Sequence, residues 1–196
     1  MKIGNRYLSI ELADRGALRS FSFQGKNFLH SNRDETLFAV QLRDAAGAPL
    51  RLPSGDFATV TTRTERRGAD RFVFLSYSGN PAASGVRAVV TLRLPDEEAM
   101  SYWHIRVEHI PAGSYCEWID FPRLHCINDL AGHGGSDTFF WPGSEGVRFR
   151  EFTFRNTTGF AASVLEYPLT GVGGYYPGPC PMQFQALCSP SGSPYM

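Results

Sequence analysis

Through most of the first 110 residues, apolar and polar positions alternate with a period of two, as in strands with one buried face. In residues 7–12 Leu8, Ile10 and Leu12 share a face. The turn Asp14-Arg15-Gly16 follows, then a strand carrying Phe21 and Phe23, then a second turn at Gln24-Gly25-Lys26-Asn27 leading to Phe28 and Leu29. This is the pattern of a meander. Residues 37–43 alternate again with Phe38, Val40 and Leu42 inward, and residues 44–49, with Gly47 and Pro49, read as a loop. Residues 58–66 are rich in Thr and suit a strand with one wet face. Residues 71–78 and 86–94 are the next strands, the latter alternating as Val86, Ala88, Val90, Leu92 and Leu94. The turn Ser78-Gly79-Asn80-Pro81 separates them, and Pro95-Asp96-Glu97-Glu98 is a further turn with room for one helical turn. Residues 101–109 place Trp103, Ile105 and Val107 opposite Tyr102, His104, Arg106 and Glu108. Turn signals about every ten residues with no helical period predict an all-β, antiparallel sandwich of a dozen or more strands.

The alternation gives way to two stretches of different character. Residues 117–146 read EWIDFPRLHCINDLAGHGGSDTFFWPGSEG, and residues 174–187 read GYYPGPCPMQFQAL. Both concentrate aromatic residues and turn formers, and a business surface belongs here. Strands continue with longer connections, a Gly-rich loop over 128–137 and an irregular link over 156–174. Loops of this length without structure of their own are usually functional or mobile. MQFQAL, from Met182, is a good strand. Residues 189–196, SPSGSPYM, read as a turn followed by a strand that does not form, so the expectation is a C-terminally truncated piece of a longer protein. Nothing resembles a linker, so residues 1–196 are expected to form one sandwich domain, the N-terminal part of a multidomain chain.

Composition narrows the function classes. The 196 residues suffice to bury roughly 70% of the unfolded chain's surface, so neither disulfides nor a metal is required for folding. Twenty Gly and 13 Pro favour turns over helices. The 19 basic and 19 acidic residues cancel, which argues against nucleic acid as a partner, since phosphate binding asks for a basic excess or stripe. No apolar run approaches the roughly 20 residues of a membrane span, and the N-terminus lacks a signal-peptide core. The expected compartment is the cytoplasm, with secretion left open if the N-terminus is incomplete. Cys116, Cys126, Cys180 and Cys188 form no C-x-x-C pair and read as free, mostly buried thiols.

Catalytic signatures are weak. His30, His104, His109, His125 and His133 are scattered without metal-site spacing, and no cofactor or metal is expected. Glu117, Asp120, Asp129, Asp137 and Glu145 cluster in the first aromatic stretch. Glycoside hydrolysis uses a pair of carboxylates, yet spacing alone places no two across a sugar, and in loops such residues commonly cap turns. Ser136 and Ser144 lack the strand-to-helix setting of a nucleophile elbow, and Gly171-Val172-Gly173-Gly174 has no following helix to make a phosphate loop. The aromatics carry more. Trp118, Phe139, Phe140, Trp141, Tyr175 and Tyr176 lie in or beside turns, where a ring can meet the C–H face of a sugar while a polar tip reaches its hydroxyls. The same rings would serve equally to close the end of a sandwich or dock on a neighbouring domain. Trp141, Tyr175, Tyr176 and Trp118, with Glu145 beside them, are therefore the expected residues of carbohydrate or interdomain contact.

The succession FPRL at 121–124, WPGSEG at 141–146 and YYPGPCPMQFQAL at 175–187 resembles the N-terminal sandwich of large bacterial proteins of the domain-of-unknown-function group 6259, which are classed with glycoside hydrolases. Pro142 and Gly146 match a P-x-x-x-G element; Tyr176, Pro177, Gly178, Met182, Gln183 and Phe184 match a Y-P-G-x-x-x-M-Q-F element. The opening strands are similar as well. The resemblance implies a galactose-mutarotase-like β-supersandwich packed on a (β/α)8 barrel that carries the catalytic carboxylates. Such a barrel is absent from this sequence, so no catalytic residue is carried over. The resemblance thus implies a non-catalytic domain that packs on a C-terminal barrel in cis and borders its sugar cleft. A free-standing carbohydrate-binding module is the alternative. A sugar epimerase is a third, and it would need a His and a carboxylate in one pocket; the motifs of true aldose epimerases are not seen, and a shared fold does not confer their activity.

Overall fold

The structure is a computed structural model that describes residues 1–29, 36–124, 138–141, 147–150 and 186–188. The chain divides into two compact units, Met1–His125 and Cys126–Met196. Fourteen strands lie among the described residues; all pair antiparallel, and the one helical element there is a 3-10 turn at Ser54–Asp56. The all-β class predicted from the two-residue period is the architecture observed.

The first unit opens with a meander of β1 (Lys2–Gly4), β2 (Leu8–Leu12), β3 (Leu18–Phe23) and β4 (Lys26–Asn27), paired in chain order. Leu8, Ile10 and Leu12 are all buried, as their alternation predicts. The second turn is tighter than expected. Only Gln24 and Gly25 form it, both at positive φ (48° and 82°), which matches the right-handed twist of a two-residue hairpin. Lys26 and Asn27 already belong to the returning strand.

A four-stranded sheet follows: β7 (Thr59–Arg67), β8 (Asp70–Ser78), β9 (Arg87–Pro95) and β10 (Tyr102–Glu108), in the order β10-β9-β8-β7. Its inner face is Val73, Leu75 and Tyr77 from β8 with Ala88, Val90, Leu92 and Leu94 from β9, all buried. Residues 95–98 turn without helix. The third sheet joins β5 (Ala39–Arg43), β6 (Pro49–Pro53) and β11 (Tyr115–Asp120) in the order β11-β5-β6, so a strand far along the chain returns beside an early one.

Two features of this third sheet differ from expectation. β6 begins at Pro49, where the predicted loop ends, and runs on through residues for which the pattern predicts no element. Pro at both ends of the segment masks it, and Pro is tolerated because β6 is an edge strand. Along residues 37–43, which run into β5, the simple alternation also fails, since Leu37 and Ala39 are as buried as Phe38, Val40 and Leu42. β5 is the central strand, flanked on both sides, and its outward face is covered too.

One apolar cluster draws on the inner faces of all three sheets: Ile10 and Leu12, Val40 and Leu42, Leu52, then Val73, Leu75 and Tyr77 from β8 and Ala88, Val90 and Leu92 from β9. At its heart Phe38, Phe57 and Tyr77 meet edge to face or tilted, with ring centroids 4.8 to 6.0 Å apart. Asn5 fastens the meander to the four-stranded sheet. Its Oδ1 accepts from the Tyr7 and Leu8 amides (2.8 and 2.7 Å), and its Nδ2 donates to the Pro95 and Glu98 carbonyls (2.6 and 2.8 Å).

The second unit contributes a small sheet in the order β13-β12-β14, from β12 (Thr138–Trp141), β13 (Val147–Arg150) and β14 (Ala186–Cys188). The Gly-rich loop at 128–137, the link at 156–174 and the first part of the predicted MQFQAL strand lie outside the described residues.

Candidate functional site

The sequence-predicted contact residues fall unevenly. Tyr175, Tyr176 and Glu145 lie outside the described residues. Trp141 ends β12, with its backbone opposite Val147. Trp118 is fully placed, on β11, and the outer face around it is the first candidate site.

That face follows from register. Trp118 stands opposite Gln41, and Gln41 opposite Arg51, so the three form a row across β11, β5 and β6. Cys116, opposite Leu42, packs on the inward side, whereas Ile119, opposite Val40, is 37% exposed on this edge strand. A bulge between Cys116 and Trp118 lets both Glu117 and Trp118 reach the outward side. The Arg51 guanidinium lies over the indole at 4.9 Å from its centroid, arching across Gln41, which is only 8% exposed. Trp118 itself remains 39% exposed, and Tyr115 is more exposed still.

Charge surrounds the ring. Arg43 Nε contacts Glu117 Oε1 at 2.8 Å, and this carboxylate raises the Arg43 pKa through its hydrogen bond and its charge. Asp120 lies 3.2 Å from Arg123 and 3.7 Å from Arg51. Glu117 and Asp120, weighed from sequence as possible catalytic carboxylates, are thus each occupied by arginine. Ringed by polar groups, an exposed indole is chemically suited to a ligand with an apolar face and a hydroxylated rim.

A second candidate lies on the outer face of the β7–β10 sheet. A shallow groove of about 470 Å³ is floored by two cross-strand rows, Thr61–Ser76–Val89–Arg106 and Arg63–Phe74–Thr91–His104. Arg63 lies over the Phe74 ring at 4.2 Å, and Phe74 stacks parallel to Phe72, with Arg67 at 5.0 Å from the latter. Arg87 donates from Nε to Ser76 Oγ at 2.8 Å. Glu65 accepts from Arg63 and Arg67, and these bonds, chiefly that from Arg67, lower its pKa.

The sequence places His104 and Arg106 on the strand face opposite Trp103, Ile105 and Val107, and there they are, both exposed. It misses the groove, because a groove of this kind exists only when three successive registers are known. The alternation Arg63, Phe74, Thr91, His104 was the available signal, one residue per strand. Arg51 was missed together with β6. His109, exposed at φ 57°, follows β10, while His30, His125 and His133, like Asp129, Asp137, Ser136 and Ser144, lie outside the described residues. Among the described residues no group of three or more His, Cys, Asp or Glu side chains could hold a metal ion, and no helix is long and apolar enough to cross a membrane.

No protein-family model matches the chain, and no curated protein matches it.

Proposed function

We propose that this chain is a non-catalytic, carbohydrate-contacting β-sandwich, the N-terminal domain of a glycoside hydrolase whose catalytic barrel follows in cis. The observation that carries the reading is the Trp118 ring, left exposed on the outer face of the β11-β5-β6 sheet between an arginine and two ion pairs. A buried core needs no such ring, and leaving an indole in water forgoes on the order of 2 kcal/mol of burial. A sugar's C–H face would recover that burial while Arg51, Asp120 and Glu117 take its hydroxyls. His104 shares its groove with arginines and hydroxyls, and no carboxylate is among the groove's lining residues, which favours binding over epimerase chemistry.

The test is calorimetric titration of the chain against a panel of neutral oligosaccharides. Binding that is lost in Trp118→Ala, with the melting temperature retained, supports the reading. Silence across the panel removes direct sugar contact. A reading frame without a barrel after residue 196 removes the parent-enzyme part and leaves a free-standing binding module.

A further inference from the structure

We propose that the groove on the outer face of the β7–β10 sheet is a second binding site, selective for an acidic oligosaccharide that bears carboxylates or sulfates. This rests on the carbohydrate reading above and adds to it a different surface and a charge requirement.

The first support is charge. Arg63, Arg87 and Arg106 line the groove with His104, and no carboxylate is among the lining residues. The carboxylates nearby are at its margins. Glu65 pairs with Arg63 and Arg67, at 2.7 and 2.6 Å, and Glu108 pairs with Arg106 and Arg87, at 2.5 and 3.5 Å. Four arginines against two glutamates leave two positive charges in excess. Asp70, on the same face, is matched by Arg93 at 2.7 Å.

The second support is preorganisation. Arg63 is held over Phe74, Arg87 is tied to Ser76, and Arg106 is anchored by Glu108. Each guanidinium has five N–H donors, so these restraints leave donors free for a planar carboxylate or a sulfate. Such fixed forks lose little freedom on binding.

The third support is reach. Strands spaced by ~4.8 Å set β7 and β10 about 14 Å apart, so a ligand touching both Arg63 and Arg106 spans more than one sugar unit. A free inorganic anion cannot bridge them, whereas an oligosaccharide with repeated acidic groups can. Thr91, on β9 between the outer strands, and Thr61, two residues from Arg63 on β7, offer hydroxyls to its neutral rim. Nucleic acid fits less well, because Phe74, the phenyl ring in the groove's lining, already has Arg63 over it and stacks against Phe72, so that it is covered by two neighbours before any base arrives.

The experiment titrates the full chain with hexagalacturonate, a heparin-derived hexasaccharide, maltohexaose as the neutral control, and oligo-dT of matched length. The acidic hexasaccharides should bind at low salt and weaken as salt rises. Arg106→Gln and Arg63→Gln should each weaken them about tenfold or more, the cost of a lost charge-assisted contact. Both positions are solvent-exposed, and an unchanged melting temperature separates lost binding from lost fold. Lys2→Gln, an exposed cation on β1 outside both sites, should leave this binding intact. Preference for the uronate or the sulfated arm identifies the acidic group. Maltohexaose binding as well as the acidic chains, with no effect of the arginine variants, overturns this inference and leaves the carbohydrate reading standing. Silence toward every glycan overturns both. Oligo-dT binding tighter than any glycan also overturns it, in favour of single-stranded nucleic acid.

Discussion

The Tyr77 hydroxyl fills the space beside Gly16 where any other residue would place its β-carbon. Gly16 is also at φ +78°, in the left-handed region, and Leu75 Cδ1 stands 3.1 Å from the same point. Gly16→Ala therefore meets two penalties. The backbone conformation alone costs about 1–3 kcal/mol, and the overlap adds to it. Tyr77→Phe should be neutral or slightly stabilising, because the buried hydroxyl has no hydrogen-bond partner among the described residues. The double variant Gly16→Ala/Tyr77→Phe should recover part of the loss, since removing the oxygen opens the space. Urea denaturation of the four proteins gives the coupling directly. Additive effects would mean that the two residues do not share that space.

The same phenol makes stability depend on alkaline pH. Burial pushes the Tyr77 pKa well above its usual value of 10. A folded-state pKa raised above the unfolded one contributes stability that is complete below pH 10 and is lost as pH climbs beyond it. Thermal melts from pH 8 to 11 should show the wild type losing stability above about pH 10. Tyr77→Phe should lose less over that interval. Identical slopes for the two proteins would assign the loss to other groups.

Asn5 should be costly to change. It closes the β1–β2 turn through two amides and holds the last residue of β9 and the turn beyond it through the Pro95 and Glu98 carbonyls. Asn5→Ala abandons all four partners, and Asn5→Asp keeps the acceptor side while setting a charge against the Pro95 and Glu98 carbonyls. A loss of about 1–3 kcal/mol is expected for the alanine variant, measured by chemical denaturation. The aspartate variant should fall on the destabilised side as well.

Much of this architecture was legible in the alternation of residues. Leu8, Ile10 and Leu12, the run from Val86 to Leu94, and Trp103, Ile105 and Val107 each advertise one buried face, and a two-residue period has no other stable home. What was hidden was pairing. That residues 115–120 return beside residues 39–43 is not encoded in either segment alone, and it decides that Trp118 stands beside Arg51. Proline misled at β6, because it marks a turn and an edge strand with the same residue. The groove was hidden for a related reason: Arg63 and His104 are 41 positions apart in sequence and acquire a shared surface only through three successive registers. Gln41 reads as an outward residue of an alternating strand, yet is buried because Trp118 and Arg51 close over it.

Cys116 tests whether β11 is seated as described. It stands opposite Leu42, packs against the apolar cluster and carries a free thiol, with burial raising its pKa above the usual thiol value. The thiolate is the reactive species, so a raised pKa and restricted access both slow modification. In a variant with Cys126, Cys180 and Cys188 changed to Ser, Cys116 should react with a disulfide reagent at pH 8 more slowly in the native state than in denaturant. Trp118→Ala removes only the outward neighbour and should leave that rate unchanged. Arg43→Ala breaks the pair with Glu117 at the bulge and should raise it, because the strand end that shields the thiol is then less firmly held. Native reactivity equal to that of the denatured chain would show that Cys116 faces solvent, and with it the assignment of Trp118 to the outer face would fail, since the two residues take opposite sides of one strand.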